Sequence, residues 1–127
     1  MAIARTAAAP GLPTIFPFSL AGATQDICLI SGMPAVDADG AYVPAAFEEE
    51  VERAWRHVAS IAEAAGFAAA NILYVQCVLA DIGDYAALNE WWRRQFPDAA
   101  VAPARFTFQA AALPFGAKVE LQAVAGR

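Results

Sequence analysis

Apolar residues recur along this chain with two periods, and the switch between them marks its elements. From residue 45 they fall at Phe47, Val51, Trp55, Val58, Ala62 and Ala65, steps of three and four that draw one stripe on a helix. Glu48, Glu49, Glu50 and Glu52 crowd its first turns, where the helix dipole favours acids, and Gly66 offers a stop. That glutamate run reads as a solvated helix start. Toward the C-terminus the period becomes two. Over residues 117–125, Val119, Leu121 and Ala123 point one way and Lys118, Glu120 and Gln122 the other. Upstream, Phe106, Phe108 and Ala110 alternate with Arg105, Thr107, Gln109 and Ala111, and Leu113-Pro114-Phe115-Gly116 reads as the turn between these two strands.

The remaining runs complete the pattern. Residues 71–80 are nearly all apolar and rich in strand formers, as in a strand buried on both faces. Residues 85–96 predict a second helix, with Asp81 and Asp84 as candidate caps and Pro97 as its end. Its inner positions would be Tyr85, Leu88 and Trp92, with Trp91 beside the stripe and Asn89 near the middle. Residues 27–32 suit a central strand, 15–20 an extended segment and 3–6 a short strand; 37–40 form a turn closed by Gly40. Strands, helix, strand, helix and two strands in this order predict an α+β layer with both helices on one sheet face, one domain over residues 1–127.

Composition narrows the function. The chain has 127 residues, 59% of them hydrophobic and 17% charged, with a net charge of −5. So much apolar surface on a small domain argues for contact with another subunit. The longest basic run is Arg93-Arg94, which disfavours nucleic-acid binding. Cys28 and Cys77 lie in apolar runs and read as core residues of a reducing compartment, although spacing alone leaves a disulfide open. The first ten residues reach proline early and argue against a secretory leader, and no run is long enough to span a membrane. The expected location is the cytoplasm. His57 lies off the helix stripe without acid or cysteine at catalytic spacing, so it reads as an edge histidine. No His/Cys metal cluster or glycine-rich phosphate loop is present, and a cofactor-free site built on arginine, a carboxylate and hydroxyls remains open.

Arg105 stands alone in an apolar stretch. A half-buried guanidinium needs an anion, and a protein carboxylate or the carboxylate of a ligand would serve. Two strands joined by a short turn can bring Arg105 and Glu120 onto one polar face, with the register left open.

Pro103-Ala104-Arg105-x-Thr107, then Ala112-Leu113-Pro114 and Lys118-Val119-Glu120-Leu121-Gln122-Ala123, resemble the RidA/YjgF family of imine/enamine deaminases. Pro17-Phe18-Ser19, Ser31-Gly32, Ala64-Ala65-Gly66 and Leu88-Asn89-Glu90 support the resemblance, which covers about residues 13–125. It implies a chorismate-mutase-like mixed sheet of about six strands with two helices on one face. It also implies a homotrimer with clefts between subunits and cofactor-free hydrolysis of a 2-imino or 2-enamino acid. Arg105 would grip the substrate carboxylate and Glu120 would position water. Phe18, Ser31, Asn89 and Thr107 would line the cleft. The family pattern often has tyrosine where this chain has Phe18, and glutamine where it has Met33. With Phe16, these two would make a cleft for a larger, apolar or aromatic-pathway substrate. The alternative is a non-catalytic trimeric binding module for a small carboxylate or hydrophobic metabolite.

Overall fold

The computed structural model describes residues 2–127. Six strands form one mixed sheet: β1 (Ala4–Thr6), β2 (Ala21–Ala23), β3 (Ile27–Met33), β4 (Ile72–Leu79), β5 (Ala104–Gln109) and β6 (Val119–Gly126). Their spatial order is β1-β2-β3-β6-β4-β5, with β4 and β5 parallel and every other pair antiparallel. Helices α1 (Phe47–Ala64) and α2 (Tyr85–Gln95) cover one face of the sheet. The segment 15–20 forms no strand, and only its last residue, Leu20, makes backbone–backbone hydrogen bonds among the described residues, to Thr6 and Ser31. Pairing resumes at β2, whose Ala-Gly-Ala carries no β-branched side chain to announce it.

Registers sort the side chains cleanly. On the helix-bearing face one row runs Ala21, Ile30, Ala123, Val75 and Arg105, and the next runs Met33, Leu121, Cys77 and Thr107. The open face carries Leu29, Val124 and Tyr74 in one row, Gln122, Gln76 and Phe106 in another, and Glu120, Val78 and Phe108 in a third. Leu29 and Phe106 are exposed there.

One irregularity matters for the site. Ile30 pairs with Ala123 but Met33 pairs with Leu121, so β3 carries an extra residue at Ser31–Gly32. The bulge resets the alternation and turns Met33 into the core, where it is 0% exposed. Met33 therefore does not line a cleft, contrary to the expectation from sequence.

The first helix packs as its pattern predicts, burying Phe47, Val51, Ala54, Trp55, Val58, Ile61 and Ala62. Gly66, at φ 86°, ends it in a Schellman motif: Phe67 N–H donates to Ala62 O and Gly66 N–H to Glu63 O. Glu50 departs from the solvated-helix expectation and is 0% exposed. Its carboxylate accepts from the Tyr42 hydroxyl at 2.7 Å, Lys118 Nζ at 3.1 Å and the backbone N–H groups of Lys118 and Ala45. Burial pushes this carboxyl up, but the four donors outweigh burial and hold it below its ordinary value. Tyr42 is driven up to about 12 by burial and by its bond to the carboxylate. The cluster joins the first turn of α1 to the residue preceding β6.

In α2 the inner positions are Leu88 and Trp91. Trp91, expected beside the stripe, is 4% exposed, while Tyr85, expected inside, is 43% exposed. Trp91 meets Trp55 edge to face with centroids 6.2 Å apart, and its Nε1 donates to Glu52 at 3.0 Å. This partner on α1 rotates α2 and frees the Tyr85, Asn89 and Trp92 face.

Candidate functional site

The six residues singled out from sequence fall into two groups on opposite faces of the sheet. Arg105 and Thr107 end two rows of the helix-bearing face, and Asn89 approaches them from α2. Glu120 lies on the open face. Ser31 sits in the β3 bulge, with Phe18 in the segment tied to it. The expected sharing of one polar face by Arg105 and Glu120 is not found. Strand β4 lies between β5 and β6, so the turn at 113–116 does not make a hairpin. Val75, the partner of Arg105, and Val78, the partner of Glu120, point to opposite faces of β4.

The arginine half is built around one guanidinium. Arg105 Nη2 donates to Asn89 Oδ1 at 2.6 Å and to the Tyr85 hydroxyl at 3.4 Å. Its Cζ lies 5.0 Å from the centroid of the Trp92 ring and 5.5 Å from that of Tyr85. Tyr85, Asn89 and Trp92 occupy positions i, i+4 and i+7, one face of α2. No carboxylate pairs with Arg105 among the described residues. Of the two partners open to it from sequence, the protein one is missing among the described residues. Thr107, two residues on, turns inward beside Cys77, and its Oγ1 is buried with no hydrogen-bond partner among the described residues. Burial raises the Cys77 thiol to about 12, so it stays protonated. Cys28 is raised by burial too, and both cysteines are free.

The glutamate half is organised by the bulge. A Cβ on Gly32 would stand 2.5 Å from Glu120 Oε1, so the absent side chain is the space that carboxylate occupies. Glu120 has no hydrogen-bond partner among the described residues, and burial raises its carboxyl above the ordinary 4.5. Ser31 Oγ donates to Ser19 O at 2.7 Å, and Ser31 N–H donates to Leu20 O. These bonds pin the preceding segment against β3. There Phe18 stacks on Phe16 with centroids 5.2 Å apart and remains 49% exposed. His57 is half-buried, with Nε2 2.7 Å from Val36 O, and burial lowers its pKa.

Sequence reasoning missed Gly32, Tyr85 and Trp92. The spacing of Tyr85 and Trp92 around Asn89 held the signal, masked by assigning both aromatics to the core. Chemically, one half offers a fork for an anion and the other a carboxyl suited to holding or moving a proton. No group of three or more acidic, histidine or cysteine side chains with metal-binding geometry occurs among the described residues. No helix is long and apolar enough to cross a membrane.

This architecture, a six-stranded mixed sheet with two helices on one face, is shared by solved structures. The YjgF gene product of E. coli superposes with a TM-score of 0.86 at 27% identity, covering 98% of this chain and 99% of that one. E. coli TdcF with bound serine gives 0.81 at 28% identity, covering 94% and 93%. The family model described as Endoribonuclease L-PSP matches residues 7–126. A goat protein named 2-iminobutanoate/2-iminopropanoate deaminase is 37% identical over 97% of this chain and 88% of its own length. Its human counterpart is 36% identical over 94% and 85%. The chain belongs to this family, the RidA/YjgF family resembled by its motifs.

Proposed function

We propose that this protein is a cofactor-free hydrolytic deaminase of 2-imino and 2-enamino acids, working in the cytoplasm as a homotrimer. The observation that carries the reading is Arg105: a fixed guanidinium with no protein carboxylate beside it, free to take one from a ligand. Relatives named imine deaminases support the substrate class. The split between faces supports the trimer. Glu120, Ser31 and Phe18 of one copy complete the cleft opened by Arg105, Asn89 and Thr107 of the next, and the apolar open face supplies the contact.

In this reading Arg105 holds the carboxylate and so fixes the C=N carbon. An enamine first takes a proton at C3 to become the imine. Water then adds to C2 as the C=N π bond breaks, with Glu120 accepting the water proton and nitrogen gaining one. The C–N bond breaks next and ammonia leaves. Loss of the hydroxyl proton gives the 2-keto acid, so imine plus water balances keto acid plus ammonia. The stacked Phe16 and Phe18 offer a flat apolar wall, which favours a larger or aromatic side chain.

The test is ammonia release from imines generated in situ from small and aromatic amino acids, with light scattering for the assembly. The expected results are turnover and a trimer. A monomer at micromolar concentration, or no ammonia above the spontaneous rate, overturns the reading. A non-catalytic trimeric binding module for a small carboxylate or hydrophobic metabolite is favoured by one observation: in the glutamate half Phe18 has no hydroxyl and that of Ser31 already donates to Ser19. Keto-acid binding without turnover would establish it. RNA cleavage, which the family description names, sits badly with a net charge of −5 and a longest basic run of two residues.

A further inference from the structure

Tyr85 belongs to no packing cluster, yet it is held in place. It opens α2, is 43% exposed, and puts its hydroxyl 3.4 Å from Arg105 Nη2 and its ring 5.5 Å from Arg105 Cζ. In that contact the hydroxyl oxygen accepts. Its own proton has no acceptor among the described residues. Asn89 and Tyr85 both engage Nη2, so the N–H groups of Nη1 and Nε are without partners among the described residues. The Trp92 and Tyr85 rings turn their faces to the guanidinium, while its N–H groups lie in its own plane. An anion is therefore drawn to the guanidinium edge, where the Tyr85 hydroxyl also stands. A hydroxyl that accepts from a cation is polarised into a better donor.

We propose that Tyr85 is a further substrate-binding residue: its hydroxyl donates to the carboxylate that Arg105 grips, and its ring fixes the fork that receives it. The proposal rests on the deaminase reading and adds to it the second donor of the carboxylate subsite. That subsite takes a planar 2-imino or 2-keto carboxylate by a guanidinium edge and a phenol rather than by arginine alone. Tyr85 takes no part in bond making. It stabilises bound substrate and transition state alike, so its loss appears in KM rather than kcat.

The test compares wild type, Tyr85→Phe and Arg105→Ala. Calorimetry measures the affinity for 2-oxobutanoate, a keto-acid product, and for its uncharged methyl ester. Ammonia release gives kcat and KM on the matching imine. Tyr85→Phe keeps the exposed ring, so the fold and thermal midpoint should not move. Its dissociation constant for 2-oxobutanoate should rise about tenfold to a hundredfold, the range of a hydrogen bond to a charged group. Affinity for the ester should stay the same, and KM should rise with kcat within about twofold. If Tyr85→Phe binds 2-oxobutanoate like wild type, or loses acid and ester equally, the assignment of Tyr85 is wrong while the role of Arg105 stands. If Arg105→Ala keeps full affinity for 2-oxobutanoate, the carboxylate subsite lies elsewhere and the deaminase reading falls with it.

Discussion

The arginine and glutamate halves of the candidate site are built in opposite ways. Arg105 is held on its Nη2 and on its faces, by an amide oxygen at 2.6 Å, a hydroxyl at 3.4 Å and two aromatic rings, which leaves the Nη1 and Nε edge open among the described residues. Glu120 instead fills the space a glycine leaves, part-buried and with no hydrogen-bond partner among the described residues. The contrast matches the chemistry proposed for each half. A charge that must stay in one state and one orientation is best surrounded by donors and acceptors fixed before the ligand arrives. A group that must gain and lose a proton is best left without partners that lock its state, in surroundings that raise its pKa. On the proposed reading, binding falls to the rigid half and proton handling to the one without partners.

That contrast breaks first at Arg105. Arg105→Ala should cut deamination by about a hundredfold or more, since two charge-assisted hydrogen bonds are lost. Because Arg105 has no carboxylate partner among the described residues to leave unpaired, the thermal midpoint should move by only about a degree or two. Arg105→Lys should fail nearly as badly, because a point charge cannot replace the fork. Unfolding of either variant would return Arg105 to a structural role.

Glu120→Gln probes the other half, with an expected loss of about a hundredfold in kcat. The carboxyl must be ionised to accept a proton. Activity should therefore rise with pH through a value above the ordinary 4.5, and this acid limb should vanish in the variant. A raised folded-state value also means that the charged form costs stability at neutral pH and regains it as pH falls. Glu120→Gln should accordingly be at least as stable as wild type at pH 7. A clear loss of stability in chemical denaturation would contradict this.

Glu50 sharpens the comparison, because it is the acid whose burial is fully answered. Glu50→Gln should leave kcat nearly unchanged but cost about 2 kcal/mol in denaturant unfolding. Its folded-state value is depressed, so the stability it contributes is complete above the ordinary carboxylate value of 4.5. It is lost as pH falls through the lowered value. The variant should lose that acid dependence. The smallest expected effect is at Phe18. Phe18→Tyr should reduce the preference for aromatic over small imines by about tenfold at most, measured as relative kcat/KM. Unchanged ratios would remove the Phe16–Phe18 wall from any account of specificity.

Much of this arrangement was legible beforehand. The stripe of the first helix, the alternation of β6 and the apolar run of β4 are strong periodic signals, and the observed elements follow them. The family motifs singled out the six candidate residues, whose roles stay part of the proposal. What alternation could not supply was the relation between strands. The turn at 113–116 suggests neighbours, but β4 inserts between β5 and β6, and strand order is decided by the whole sheet. The bulge at Ser31–Gly32 breaks the period of two with no marker beyond one glycine, which is why Met33 was placed on the wrong side. The burial of Glu50 was hidden for a similar reason. Its donors, Tyr42 and Lys118, are far apart in sequence and meet it only through the fold.

The placement of the two halves on opposite faces also has a genetic meaning. If each cleft of the proposed trimer draws one half from each of two copies, loss of Arg105 and loss of Glu120 are not equivalent defects in one chain. Co-expressed Arg105→Ala and Glu120→Gln chains would rebuild, in every mixed trimer, one cleft with both residues intact. Random assembly in equal amounts would restore about a quarter of the clefts, although each variant alone is nearly inactive. Two broken copies of the gene would complement one another, and the same copies would not if each chain carried a whole site.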